Sequence, residues 1–154
     1  MDITARTDYA VRAMLILAAA QRDERGPVSV EVLAQRQELP RKYLEAIAAD
    51  LRAAGLVKST RGSRGGYSLS RPARDIGIGD VFRAVDGPLA EVRGVRPHEV
   101  AYAGDAEHLP TVWVAVRATL REVLDGTSLE DVLTGRLPAR VAEAAAAPDA
   151  WHSR

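Results

Sequence analysis

The residues predict a mainly α-helical protein with one small β-hairpin, a winged helix-turn-helix followed by a long C-terminal helix. Three observations carry that prediction. Two short amphipathic segments, Val30–Gln37 and the stretch that begins at Pro40, are separated only by the turn Glu38-Leu39-Pro40. Two short strand-like stretches follow, Leu56–Arg61 and Tyr67–Ser70, around the glycine-rich tip Gly62-Ser63-Arg64-Gly65-Gly66. Finally, Leu51 to Arg74 holds no Asp or Glu but contains Arg52, Lys58, Arg61, Arg64, Arg71 and Arg74. A mobile basic tip of that kind suits a phosphate backbone or a minor groove; the alternative is a solvated loop with surface arginines.

With 154 residues, 47% of them hydrophobic, the chain can bury one good core. The longest apolar run, Ala13–Ala20, is far short of a membrane span, and MDITARTDYA lacks the basic-then-apolar order of a signal peptide. There is no cysteine, which removes disulfides and thiolate metal sites. A soluble, cytoplasmic protein without a membrane partner is the expectation. The formal net charge of zero hides an asymmetry. Residues 1–74 hold 13 Lys and Arg against 8 Asp and Glu, and residues 75–154 hold the reverse. A basic module for a polyanion and an acidic module for something else follow from that split.

The expected layout is a DNA-binding unit over 1–74, a connecting helix and sensor-type loop over 75–110, a dimerisation helix with a short following helix over 111–135, and a tail over 136–154. The first helix is predicted from about Arg6 to Ala20, with Tyr9, Ala10, Ala13, Met14, Leu17 and Ala20 on one side and Leu15 and Ile16 widening the apolar surface. Arg6 and Arg12 lie on it either as phosphate contacts or as solvated surface residues. Gln21–Pro27 is a polar loop, and Ser29 is placed to cap the second helix. In the third, Pro40 suits the first helical position. Leu44, Ile47, Ala48 and Leu51 recur at i, i+3, i+4 and i+7, and Gly55 stops the helix. A fourth helix is expected over Gly79–Val85. The stretch Leu89–Pro110, broken by Gly94, Pro97 and Gly104, reads as an irregular loop or a short helix. Thr111–Asp125 is a long amphipathic helix. Its apolar face, with Val112, Trp113, Val116, Leu120 and Val123, is either a dimer contact or ordinary core. Ser128–Thr134 is a short capped helix, and the alanine- and proline-containing tail after it is expected to fray.

In a winged helix-turn-helix the N-terminal part of the third helix enters the major groove. Its outward side carries Arg41, Lys42, Glu45, Ala46 and Ala49. Arg41 or Lys42 can donate to guanine O6/N7 or to phosphate. Glu45 either accepts from cytosine N4 or pairs with Arg41 at i−4. From the wing, Lys58, Arg61 and Arg64 are the candidate phosphate or groove contacts. Enzyme chemistry has little to stand on: no cysteine nucleophile, three histidines, and an RGSRGG run between strands instead of at a strand-to-helix turn. The rival to DNA binding is a winged helix used as a protein-interaction module.

Three stretches also carry a resemblance: TARTDYAVRAML, then LPRKYLEAIAADLRAAGLVKSTRGSRGGYSLSRP, then IGDVFRAVDGPL. Over roughly Met1–Leu89, with the long helix in the expected place, the chain resembles the Rrf-type family of bacterial winged-helix regulators, that of IscR-, NsrR- and CymR-like proteins. The resemblance implies a homodimeric transcription factor, usually a repressor, whose protomers cross through the long helix and place wings in the minor groove of a pseudo-palindromic operator. It matches Lys42, Tyr43 and Glu45 to recognition-helix positions, with Tyr43 either an anchor or a base reader, and Arg61 to the wing arginine. Well-known relatives hold an iron–sulfur cluster on three cysteines in the loop before the long helix. That loop here, Gly87–Pro110, has none, and Asp8, where some relatives supply a carboxylate, does not replace thiolates. No iron–sulfur cofactor is therefore expected. His98, His108, Glu91 and Glu107 are left as either a different metal site or solvated residues. A small metabolite or a protein is the expected effector, with Trp113 and Tyr102 as candidate pocket walls.

Overall fold

The structure, a computed structural model, describes residues 2–152. Its central element is α1 (Ala5–Arg22), capped by Thr4, whose hydroxyl accepts the Thr7 N–H at 3.1 Å. Ala10, Ala13, Met14, Leu17, Ala18 and Ala20 are buried along it. Small side chains let other backbones approach closely, and elements from both halves of the chain pack on this one helix.

Ser29 caps α2 (Val30–Gln37) by accepting the Val32 N–H at 3.3 Å. Glu38 then turns left-handed, at φ 55°, and Leu39 N–H returns to the Ala34 carbonyl. The third helix, α3, spans Arg41–Ala53, so Pro40 sits one position earlier than expected. It is the cap residue, and its carbonyl receives the N–H groups of Tyr43 and Leu44. Leu44, Ile47, Ala48 and Leu51 are buried as their spacing predicts. Gly55 follows at φ 71°, a conformation that glycine adopts without Cβ strain.

The wing is an antiparallel pair, β1 (Val57–Thr60) and β2 (Gly66–Leu69), with Val57 opposite Leu69 and Thr60 opposite Gly66. β1 is shorter at both ends than the sequence suggests, while β2 begins and ends one residue earlier, so Gly66 belongs to β2 instead of to the tip. The reason is the approach of a third segment: Val28 and Tyr67 exchange two backbone hydrogen bonds of 2.8 Å. A Cβ on Gly66 would stand 2.3 Å from the Val28 carbonyl oxygen, so only glycine lets the wing root lie against residues 28 and 29.

After a single 3-10 turn at Ala73–Asp75 comes α4 (Ile78–Asp86). Asp80 and Arg83 on it tie the end of the wing to the C-terminal half. Arg71 Nη2 donates to Asp80 Oδ2 at 3.0 Å, and Arg83 donates to Asp80 Oδ1 and to Asp125 Oδ1 at 2.9 and 2.7 Å. The loop beyond is irregular, as expected, with a tight backbone turn between Val92 and Val95 and one 3-10 turn at Gly104–Ala106. The long helix α5 covers Leu109–Leu124, and none of its residues is buried within the chain. Residues 76–78 pair with 127–129 through Ile78 N–H to the Thr127 carbonyl and Leu129 N–H to the Ile76 carbonyl, each 2.9 Å. That bridge sets α6 (Leu129–Thr134) on α1, with Leu129 fully buried.

The tail corrects the expectation of fraying. Ala139–Ala145 form α7, entered through Pro138, because alanine has the highest intrinsic helix preference and Pro138 lacks an N–H that would need a partner. Arg140 pairs with Glu122 on α5, and the Trp151 indole N–H donates to the Ala145 carbonyl at 2.7 Å. Among the described residues, no helix is long and apolar enough to cross a membrane.

Ser128 and Asp131 form a reciprocal cap on α6. Asp131 Oδ2 accepts the Ser128 N–H at 2.8 Å and its hydroxyl at 2.7 Å, and Asp131 N–H donates to Ser128 Oγ at 3.1 Å. The backbone N–H first, then the hydroxyl, hold the Asp131 carboxyl below its ordinary value of 3.8. Since the folded state binds that proton less readily, the stabilisation is full above the unfolded pKa and disappears as pH falls through the folded one. Urea unfolding of Ser128→Ala at neutral pH is expected to show a loss of about 1 kcal/mol, narrowing in acid. Equal stabilities at neutral pH would dismiss the cap.

Candidate nucleic-acid interface

On α3 the residues not committed to the core are the ones the sequence nominates. Arg41, Lys42, Glu45, Ala46 and Ala49 are exposed, one side of a helix whose other side is sealed by Leu44, Ile47 and Leu51. Arg41 Nε donates to Glu45 Oε1 at 2.8 Å, and its Nη1 pairs with Glu31 of α2. These two carboxylates raise the Arg41 pKa, the Glu45 hydrogen bond first and the Glu31 charge second. Of the two roles open to Glu45, pairing with Arg41 is thus the one seen in the unbound chain. Tyr43 is half-buried, with its ring edge-on to Tyr9 at 5.7 Å between centroids. Arg12 lies over the other partner of that pair, 5.7 Å from the Tyr9 centroid, and also pairs with Asp8 at 3.6 Å. The Tyr43 ring is therefore part of the α1–α3 packing. Arg6 pairs with Asp50 across the same junction.

The wing presents Lys58, Arg61 and Arg64 to solvent. Alternation along β1 explains the first: Val57 points into the core and Lys58 away from it. Arg52 Nη1 donates to Ser59 Oγ at 3.4 Å and ties the last turn of α3 to the wing. Lys42, Lys58, Arg61 and Arg64 have no carboxylate partner among the described residues, whereas Arg6, Arg12, Arg71, Arg83 and Arg140 each have at least one. Beside the wing tip lies a cleft of about 540 Å3, lined by Arg25, Arg36, Arg64, Ser29 and Ser63 among others, with no acidic residue in its wall. Of these, Arg64 is nominated by the sequence and Arg25 and Arg36 are not. Arg25 stands in a loop of mixed charge and Arg36 at the end of a helix, so only the fold-back of the wing onto residues 28 and 29 reveals their common position.

At the other end, Val112 and Val116 of α5 are 52% and 46% exposed, while Trp113, Leu120 and Val123 are half-buried. A cleft of about 530 Å3 runs beneath them, with Phe82, Asp86, Pro88 and Leu89 opposite Trp113, Val116 and Leu120. Asp86 in its wall accepts the hydroxyls of Thr4 and Thr7 at 2.5 Å each. Tyr102, expected beside Trp113, does not line this cleft; Arg93 lies over its ring at 5.6 Å instead. Among the described residues, no three His, Cys, Asp or Glu side chains converge as a metal site. His98 Nδ1 lies 2.9 Å from Arg117 Nη1, a cation where a metal ligand set would place an anion.

A helix-turn-helix with an exposed polar recognition face, followed by a basic wing, defines a winged-helix DNA-binding protein. A family model described as "Rrf2: Iron-dependent Transcriptional regulator" matches residues 3–135, and the chain belongs to this family of transcriptional regulators; it is not an enzyme. It is 44% identical over 145 residues to the HTH-type regulator Rv1287 of Mycobacterium tuberculosis, covering 94% of this chain and 89% of that one. It is 36% identical over 132 residues to the HTH-type transcriptional regulator CymR of Bacillus subtilis, covering 86% and 89%. Among solved structures, CymR, the global cysteine regulator of B. subtilis, aligns with a TM-score of 0.74 at 35% identity, covering 88% of this chain and 98% of that one. T. potens IscR aligns at 0.68 with 38% identity, covering 88% of each. The iron in the family's description does not fit this chain as a thiolate-held cluster, because the sequence supplies no thiolate and Asp8 is engaged by Arg12.

Arg61 at the base of the wing tip sets the expected outcome of a substitution. Arg61→Ala should weaken binding to all duplexes by about 1–3 kcal/mol and flatten the salt dependence by about one unit of slope. Fluorescence anisotropy over a salt series checks both, and an unchanged slope would remove Arg61 from the phosphate-contacting set.

Proposed function

We propose that the chain is a homodimeric, sequence-specific transcriptional repressor. The observation that carries the reading is the pairing of an exposed α3 face with a wing whose cations have no internal carboxylates. In this scheme Arg41 and Lys42 donate to base edges or flanking phosphates, Glu45 discriminates at one base position, and Lys58, Arg61 and Arg64 track the backbone and minor groove. Repression needs no more than occupancy of a promoter, and the exposed α3 face beside a basic wing supports that reading. The rival reading, a wing that docks on a protein, gives no reason for an acid-free run from Leu51 to Arg74.

The dimer is supported by α5. A sixteen-residue helix with no buried residue is unstable on its own account, and its exposed valines stand one turn apart at positions 112 and 116. The cleft beneath Trp113 continues the same apolar strip, so a second copy's helix would cover both. Two-fold pairing places the recognition helices on half-sites about one helical turn apart.

Two measurements test these statements separately. Anisotropy titrations on DNA from the gene's own upstream region, against a scrambled duplex, should show selective binding with a steep negative salt slope. Weak binding that does not discriminate, with a flat slope, would transfer the wing to the protein-docking reading. For the dimer, Val116→Asp alters a residue exposed in the single chain and should give folded monomers in light scattering. A variant that remains dimeric would move the interface away from α5.

A further inference from the structure

The recognition helix begins with a guanidinium held between two carboxylates, and one of them belongs to the preceding helix. Arg41 Nε is bound by Glu45 one turn along α3, while Nη1 is bound by Glu31 on the first turn of α2. The side chains of Arg41, Glu31 and Glu45 are 61, 57 and 46% exposed, so this clamp lies on the open surface and not in the core. Together with Lys42, the cluster sums to no net charge. The wing is different: Lys58, Arg61 and Arg64 have no carboxylate partner among the described residues. Attraction to the phosphate backbone is thereby concentrated on the wing, and the helix that reads bases starts out electrically neutral.

We propose that Glu31 is a specificity-determining residue that acts through Arg41: with Glu45 it withholds the guanidinium from phosphates and yields it to a guanine edge. This rests on the reading of α3 as the recognition helix. Exposed ion pairs are weak, so the clamp opens without a large barrier. Guanine O6 and N7 together match the fixed fork of an arginine and replace both carboxylate contacts at once. A phosphate also matches the fork, but its approach brings a full negative charge toward Glu31 and Glu45, which a neutral guanine edge does not. The clamp therefore lowers affinity for wrong sites more than for right ones. Glu31 itself touches no base in this scheme; it is a positioning residue.

The test begins with a duplex that the wild-type protein selects from a randomised pool, compared with a scrambled duplex of the same composition. Binding constants for both are measured by anisotropy over a salt series for wild type, Glu31→Gln, Arg41→Ala and the double variant. Glu31→Gln is expected to bind the scrambled duplex about threefold or more tightly, with a salt slope steeper by about one, while the selected duplex gains less. Its preference ratio falls accordingly. In the Arg41→Ala background the same substitution should leave the ratio unchanged, since there is no guanidinium left to withhold. A Glu31→Gln protein with the wild-type ratio overturns the proposal, as does an equal loss of ratio with Arg41 absent. If the pool yields no preferred duplex, the recognition-helix reading fails first, and the role of Glu31 falls with it.

Discussion

The close packing along α1 is the constraint on which the other contacts depend. Ala10, Ala13 and Ala18 are almost fully buried on that helix, and α3, β2, α4 and α6 all rest on it. Larger residues at those positions would push the recognition helix away from the wing and the connecting helix away from both. Polar contacts fix what the packing brings together. Arg6 reaches Asp50 near the end of α3, and Thr4 and Thr7 donate to Asp86 at the end of α4. The first turn of α1 thus touches the recognition helix on one side and the segment leading to α5 on the other. Both contacts converge on the first turn of α1 and so fix α3 and the end of α4 relative to each other.

The helix-turn-helix was readable because each local signal agreed with its neighbours. Ser29 is a cap by chemistry and by geometry, Gly55 turns left-handed where the apolar spacing ends, and the buried face of α3 contains the four residues its period selects. Misplacements occurred where a tertiary contact decided the outcome. Gly66 looked like part of a mobile tip because its residue type is that of a turn; the approach of Val28 recruits it into β2. Tail residues looked unstructured because alanine carries no amphipathic signal, yet alanine is the strongest helix former, and Arg140 and Trp151 supply anchors.

At the interface the sequence offered residue types and the fold supplied their partners. Arg41 and Glu45 are four apart, so their pairing is readable from spacing alone. Glu31 lies ten positions upstream of Arg41, on another helix, and no periodicity connects them. The same limit hid Arg25 and Arg36, which share a cleft with Arg64 only because the wing folds back over residues 28 and 29. Contacts within one element are legible in a sequence; contacts set by the angle between two elements are not.

The loop before α5 shows how a family feature can be absent while the architecture persists. Without cysteines this loop has no thiolates to hold a cluster, yet it is not detached from the body. Leu89 and Pro97 are buried, and Val92 and Val95 close a turn through reciprocal backbone hydrogen bonds of 2.9 and 3.1 Å. Apolar burial and one tight turn hold its first half against α4 and α5. The order of this half of the loop thus rests on contacts made by its own side chains and backbone. Beside it lies the cleft between Asp86 and Trp113, which adjoins both the first turn of α1 and the exposed strip of α5. The loop, the first turn of α1 and the exposed strip of α5 therefore share one wall, so their relative positions are set by the same set of side chains.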